Sequence, residues 1–480
     1  MLRRTKIVAT LGPVTENPEV LDRLIEAGVD VVRLNFSHDL HEVHVKRAET
    51  ARNRAEAHGR EIGVLVDLQG PKIRTGKFKN GSAMLSEGAR FVIDASLPLD
   101  TGTAEQVGTT YKQLPQDVAR GATLLLDDGR IALRVEEVKG TAVICRVTVG
   151  GELADNKGIN RQGGGLSAHA LTDKDREDIK VAAKIQADYL AISFPRSAAD
   201  VEEARGLFRA AGGKGGIIAK IERAEAVQNI EEIIKASDVI MIARGDLAVE
   251  IGDAAVPPIQ KRLIKLARKM NKAVITATQM MESMIDSPVP TRAEVSDVAN
   301  AVLDGTDAIM LSAETAKGKY PVEAVAAMDR VCRVAEKEYD VTHSRHREDI
   351  AFTRVDEAIA MSVMYCANHL PVRAIAALTE SGSTTLWMSR ISSAVPIYAM
   401  TPHMATRRKV TLYRGVYPVN FVIHGNDPAV VLREATDELR RRGAARDEDF
   451  VILTIGEPLS KPGGTNTLKI IRVSDMKQIG

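Results

Sequence analysis

Residues 215–252, GGIIAKIERAEAVQNIEEIIKASDVIMIARGDLAVEIG, join two short apolar runs through an amphipathic one. Gly216 to Ile221 and Val239 to Ala243 predict buried strands, and Ala224 to Lys235 predicts the helix between them. Each strand runs into charge: Lys220 and Glu222 after the first, Arg244 and Asp246 after the second. Side chains alternate faces along a strand, so Lys220 and Glu222 share one side, as do Arg244 and Asp246. If the strands are parallel neighbours, a lysine and two carboxylates converge at one end of a sheet.

Outward from this unit the same alternation repeats. Thr5 to Leu11, Pro18 to Ala27 and Val29 to Phe36 form a strand, a helix and a strand, and Ile62 to Leu68 is a further strand. After position 70 the rhythm changes to short, Gly-punctuated β segments, which predicts an inserted β-rich lid over residues 71–157. Helix and strand then alternate again as far as the helix Pro321 to Lys337. About eight strand–helix repeats, once the insertion is set aside, are the period of a (β/α)8 TIM barrel. An open doubly wound sheet is the alternative, because a strand count does not show closure. The expected division is 1–70 and 158–340 for the barrel, 71–157 for the lid and 341–480 for a C-terminal α/β domain, with Asp340 to Asp349 as linker.

In such a barrel the chemistry sits at the strand C-termini, and the polar residues cluster there: Arg33, Asn35 and Ser37; Asp67; Lys220 and Glu222; Asp246; Thr278; Ser312 and Glu314. Glu222 and Asp246 offer hard oxygen ligands with no Cys or His beside them, a set suited to Mg²⁺ or Mn²⁺. Lys220, Arg33, Arg74 and Lys72 supply the positive charge that a transferring phosphoryl group requires. The plainer readings are salt-bridged strand ends for Lys220 and Glu222, and helix capping for Ser312 and Glu314. His38, His41 and His44 span a loop and a helix, and a solvated helix face explains them better than a metal.

The whole composition narrows the function further. Of 480 residues, 65 are Lys or Arg and 64 are Asp or Glu, so the net charge of +1 gives no support for nucleic-acid or membrane binding. Cys145, Cys332 and Cys366 form no CxxC pair, which predicts reduced, mostly buried thiols. The apolar run near the N-terminus is short and broken by Gly12 and Pro13, so no signal peptide is expected. The expectation is a cytoplasmic protein.

Six blocks carry a resemblance: VRLNFSH at 32–38, GPKIRTG at 70–76, IIAKIE at 217–222, MIARGDLAVEI at 241–251, TATQMMESM from Thr276 and LSAETAKGKYP ending at Pro321. In this order they resemble the signature blocks of the pyruvate kinase family. The resemblance implies a TIM barrel, an inserted lid, a C-terminal regulatory domain and a homotetramer. It also implies transfer of the phosphoryl group of phosphoenolpyruvate to ADP, giving pyruvate and ATP. By motif, Glu222 and Asp246 would hold the divalent ion, while Lys220 and Arg33 would meet the moving phosphoryl group. Gly245, Asp246 and Thr278 would place the substrate carboxylate and enolate. Asn35, Arg74 and His38 would face the nucleotide, and Ser312 and Glu314 would lie near the protonating water. Asn35, Ser37, Asp67, Leu68 and Lys72 mark the family's monovalent-cation region. Lys72 stands where potassium-dependent members carry Glu, so the resemblance is to the potassium-independent type, with K⁺ not required. Asp39, Ala248 and Ala313 stand where Gly is common.

Near the C-terminus, TESGSTTLW at 379–387 follows a strand and opens a helix. Thr379, Ser381, Gly382, Ser383 and Thr384 form a candidate phosphate cradle, similar to the family's effector loop, with ordinary N-capping as the alternative. Two other functions compete: carbon–carbon cleavage by the same Mg²⁺-enolate chemistry, and non-catalytic metabolite binding.

Overall fold

The computed structural model describes residues 2–338, 351–425, 427–458 and 463–478, so the linker expected at Asp340 to Asp349 lies outside the described residues. Eight parallel strands close into a barrel: β1 (Lys6–Thr10), β2 (Val31–Asn35), β3 (Gly63–Asp67), β4 (Tyr189–Ile192), β5 (Gly216–Ile221), β6 (Val239–Ala243), β7 (Ala273–Ala277) and β8 (Ala308–Leu311). Each strand pairs with its neighbours in sequence, and β1 pairs with β8 through Lys6 to Ala9 against Ala308 to Leu311. Closure removes the open-sheet alternative.

The period of two decides where each strand residue goes. On β5, Ile217, Ala219 and Ile221 join the apolar layer under the outer helices, while Ile218 joins Val8, Leu65, Met241 and Ile275 in a separate inner cluster. That inner cluster continues into Val410, Leu412 and Ile397 of the C-terminal region, so the floor of the barrel rests on that region. Helix starts follow local chemistry: Thr172 caps Asp173–Lys184 and Thr291 caps Arg292–Asp304, each with an acidic residue three positions on closing the box.

Between β3 and β4 lie a six-stranded sheet, with Ala142–Val149 and Ile131–Lys139 at its centre, and a small ribbon of Ser82–Leu85 with Gly151–Ala154. The C-terminal sheet orders Val416–Asn420, Ile397–Thr401, Val372–Leu378, Phe450–Gly456 and Thr465–Arg472, the last strand antiparallel. Among the described residues, no helix is long and apolar enough to cross a membrane.

Two expectations near the opening stretch are corrected. The helix over Ala224 to Lys235 is two short ones, Ala224–Gln228 and Ile230–Ala236, with Asn229 out of helical register between them. The second strand stops at Ala243, and Arg244–Ile251 is helical, so Arg244 and Asp246 do not share a strand face. Arg244 turns away to Asp297 at 2.7 Å and to the Thr278 carbonyl at 2.7 Å.

Candidate active site

Val31, Leu65 and Ile218 point into the barrel, so the residues two positions on, Arg33, Asp67 and Lys220, project inward at its C-terminal mouth. They meet there. Arg33 Nε donates to Asp67 Oδ2 at 2.7 Å, and Lys220 Nζ lies 3.4 Å from Asp67 Oδ1. One step further out, Glu222 Oε1 is 2.8 Å from Lys220 Nζ, and its other oxygen accepts from the Phe194 amide at 2.9 Å. Lys220 also donates to Ser193 Oγ at 2.7 Å, and Ser193 donates to the Leu68 carbonyl at 2.8 Å.

The electrostatics follow from this packing. Burial opposes the Lys220 charge, yet Asp67 and Glu222 outweigh it and hold the ammonium above its usual range. Burial also opposes the Asp67 carboxylate, and Lys220 and Arg33 overcome it, leaving its pKa lowered. Glu222 goes the other way: burial pushes its carboxyl up to about 7 against the pull of Lys220, with Asp246 adding to the rise. Asp246 is raised by burial as well, and among the described residues no hydrogen bond or ion pair reaches its carboxylate. The Glu222 carboxyl, raised by burial despite its Lys220 pair, and the unpartnered Asp246 carboxylate offer oxygen donors that fit a hard divalent cation.

A cleft of about 410 Å³ opens over these groups, lined by Arg33, Asn35, Ser37, Leu68, Lys72 and Arg74 on one side, with Asp128 and Lys157 from the inserted sheet on another. Arg74 Nη1 donates to the Asn156 carbonyl at 2.7 Å, which ties the two ends of the insertion together. Asn35 accepts from the Ser37 amide at 3.2 Å. Burial, then the charges of Arg74 and Lys220, lower the Lys72 pKa, while Asp246 and Asp67 oppose the shift.

Gly245, Thr278, Ser312, Glu314 and His38 do not line this cleft. Thr278 has φ +70°, a conformation few non-glycine residues adopt, and its Oγ1 accepts from the Gly245 amide at 2.8 Å. Glu314 is buried and accepts from the Ser312 amide at 2.7 Å and the Met281 amide at 3.2 Å, which is the capping geometry. His44 is not on a solvated face: it is buried, stacks on Phe36 at 4.3 Å and bonds the His38 carbonyl. His41 pairs with Asp178 at 2.7 Å. Asp39 occupies φ +62°, tolerated because its carboxylate holds Arg47 at 2.6 Å. Ser193 escaped the sequence reading, although its place just past β4, in ISFPRS, is the signal that would have found it.

The loop at 379–387 follows the strand Val372–Leu378 and opens the helix Ser383–Ser389, with Gly382 at φ +82° as cap. Its hydroxyls bond largely within the protein: Thr379 accepts from the Gly382 amide, Ser381 meets Ser383 and Thr384 meets Thr465. The cavity beside them is about 30 Å³.

Fixed cations beside buried carboxylates at a barrel mouth are suited to stabilising charge on a transferring phosphoryl group, and they place the chain among the barrel phosphotransferases. Residues 2–325 match the family model of the pyruvate kinase barrel domain, and residues 357–471 that of the pyruvate kinase alpha/beta domain. The chain belongs to the pyruvate kinase family. It is 56% identical to pyruvate kinase II of Salmonella typhimurium over 98% of this chain and 99% of that one. Identity to a pyruvate kinase of Haemophilus influenzae is 53%, covering 95% and 96%. A crystal structure of a pyruvate kinase from Cryptosporidium parvum superposes with a TM-score of 0.92 at 36% identity, covering 98% and 96%.

Proposed function

We propose that the cleft at the barrel mouth binds phosphoenolpyruvate and ADP and moves the phosphoryl group between them. The bond from phosphorus to the enol oxygen breaks, a bond to the terminal ADP oxygen forms, and the enolate takes a proton at its methylene carbon to give pyruvate. The observation that carries this reading is the buried set of Lys220, Asp67 and Glu222 beside the unpartnered Asp246.

Lys220 and Arg33 meet the phosphoryl oxygens, and Asp67 positions both cations. Gly245 and Asp246, oriented by Thr278, hold the carboxylate end of the substrate. Arg74, Asn35 and His38 take the nucleotide side, below the inserted sheet. Ser312 and Glu314 act by fixing the Met281 turn next to the site where the enolate is protonated. Glu222 and Asp246 hold Mg²⁺ or Mn²⁺, which when bound supplies the positive charge that offsets the substrate oxygens. A coupled assay for pyruvate and ATP from phosphoenolpyruvate and ADP tests the reading. Turnover that requires Mg²⁺ or Mn²⁺ is expected, and no turnover with either ion overturns it.

Lys72 stands in the cleft with Asn35, Ser37 and Leu68, and its ammonium takes the electrostatic place of a monovalent cation, so K⁺ is not required. Rates in K⁺-free and Na⁺-free buffer are expected to match those with added KCl; strong activation by KCl removes this part. The family's homotetrameric assembly, a cytoplasmic location, an effector phosphate at Thr379 to Thr384 and the division at 70, 157 and 340 belong to the same proposal. The small cavity beside the effector loop means that a phosphate must open it. Unchanged kinetics with sugar phosphates and AMP would count against an effector there.

A further inference from the structure

Where the barrel meets the C-terminal region, at the start of β3 and so at the end of that strand away from the mouth, a second cavity of about 230 Å³ is lined by Arg52, Arg60, Arg407 and Arg408, with Glu56 and Glu61. Its walls come from two bodies. Arg52 lies on the helix His41–Ala57, Arg60 and Glu61 on the turn entering β3, and Arg407 and Arg408 on the C-terminal helix Met404–Val410.

Three of the guanidiniums are anchored by carboxylates: Arg52 to Asp188 at 3.4 Å, Arg60 to Asp30 at 3.7 Å and Arg407 to Glu61 at 2.7 Å. Arg52 is further fixed by the carbonyls of Ile185 at 2.6 Å and Gln186 at 2.7 Å. Even so, its Nε–H is buried with no hydrogen-bond partner. Among the described residues, the Arg408 guanidinium makes no hydrogen bond or ion pair. Burial lowers the Arg52 pKa, Asp188 opposes the shift, and the neighbouring Arg408 charge adds to it. The Arg52 Nε–H without an acceptor and the Arg408 guanidinium without a hydrogen bond, both on residues lining this cavity, leave unmet donors there beside the Glu56 carboxylate.

We propose that this cavity binds a small oxyanion of the phosphate class, either free phosphate or a phosphate monoester. Planar guanidiniums match phosphate oxygens in pairs, and Arg52, Arg60 and Arg407 are already held in place by carboxylates and carbonyls, so of the four only Arg408 gives up much side-chain freedom on binding. The volume lies below the roughly 300 Å³ at which pockets for drug-sized ligands begin, which suits a phosphate with a short carbon skeleton. Because the ligand touches the barrel and the C-terminal helix together, it strengthens their docking.

Calorimetry and thermal melting of the full chain in phosphate-free buffer test this, with inorganic phosphate, glucose 6-phosphate and succinate as separate probes. Binding of inorganic phosphate, of the sugar phosphate or of both is expected, and which of them binds identifies the source. Arg408→Gln should melt close to the parent without ligand, since it breaks no hydrogen bond or ion pair and its charge both repels Arg52 and attracts Asp188. It should weaken phosphate binding about tenfold, the worth of one charge-assisted hydrogen bond. Arg408→Lys should restore part of that loss, and the part of the binding that Arg408→Gln removes should persist in Ser383→Ala, which alters the loop at 379–387. Equal phosphate binding by Arg408→Gln, no binding of either phosphate probe, or a response to succinate alone overturns the proposal.

Discussion

Lys220 is held by three oxygens, from Asp67, Glu222 and Ser193, so its position does not depend on substrate. A cation fixed in advance does not have to reorganise as charge develops, which is where such groups gain their effect. Lys220→Met is therefore expected to lower kcat by about 10²- to 10³-fold with a smaller change in KM, read by steady-state kinetics. Glu222 carries a pH prediction. Its carboxyl rises from an ordinary 4.5 to about 7 in the folded protein without metal. Between those values the folded chain binds more protons than the unfolded one, so this group makes stability fall as pH rises from 4.5 to 7. Glu222→Gln should remove that part of the slope in melts made with EDTA. Protons compete with the divalent ion for the same carboxylate, so Mg²⁺ affinity should weaken as pH falls through about 7.

The loop that leaves β3 supports this residue set from below. Gly70 has φ +67°, and a Cβ there would stand 2.7 Å from the Ser193 Cβ. Gly70→Ala is expected to cost about 1–3 kcal/mol from backbone strain and to reduce kcat by displacing Ser193 from Lys220; denaturant melts and kinetics on the same sample check both. The barrel strands were legible in the sequence because each is a short apolar run that ends at or just before a polar or charged residue, and Arg33, Asp67 and Lys220 were legible because they follow inward residues by two positions. What was not legible depended on backbone that leaves the regular pattern. Arg244 sits one residue beyond the end of β6, and the helix that starts there turns it away from Asp246. Ser193, just past β4, was legible by its place, but its bond to Lys220 depends on the turn at Phe194, φ +59°, which no sequence pattern shows. The strand Val416–Asn420 is broken in pattern by Pro418, which argues against a strand, and the seven-residue helix Met404–Val410, MATRRKV, is too short and too polar for periodicity to find.

Across the whole molecule, the barrel and the C-terminal region are joined by buried charge as well as by apolar contact. Asp307, in the turn before β8, pairs with both guanidinium nitrogens of Arg390, and each side chain is about 1% exposed. Asp307 also accepts from the Val274 amide at 2.9 Å and the Arg414 amide at 3.1 Å, so it ties β7 to the C-terminal chain. Arg390 adds a bond to the Lys272 carbonyl at 2.6 Å. Desolvating both ions offsets much of their attraction, so the intact pair contributes little net stability, but removing one partner leaves the other charged and buried. Arg390→Ala is therefore expected to destabilise the chain by about 3–5 kcal/mol. The double change Arg390→Met with Asp307→Asn, which leaves no charge stranded, should recover most of that loss. Equilibrium unfolding followed at Trp387, on the C-terminal helix Ser383–Ser389, and by far-UV circular dichroism, dominated by the barrel, distinguishes the outcomes. If the pair couples the two regions, Arg390→Ala separates the two transitions while the parent shows one. Coincident transitions in Arg390→Ala would assign the coupling to the apolar cluster that runs from Ile218 to Leu412.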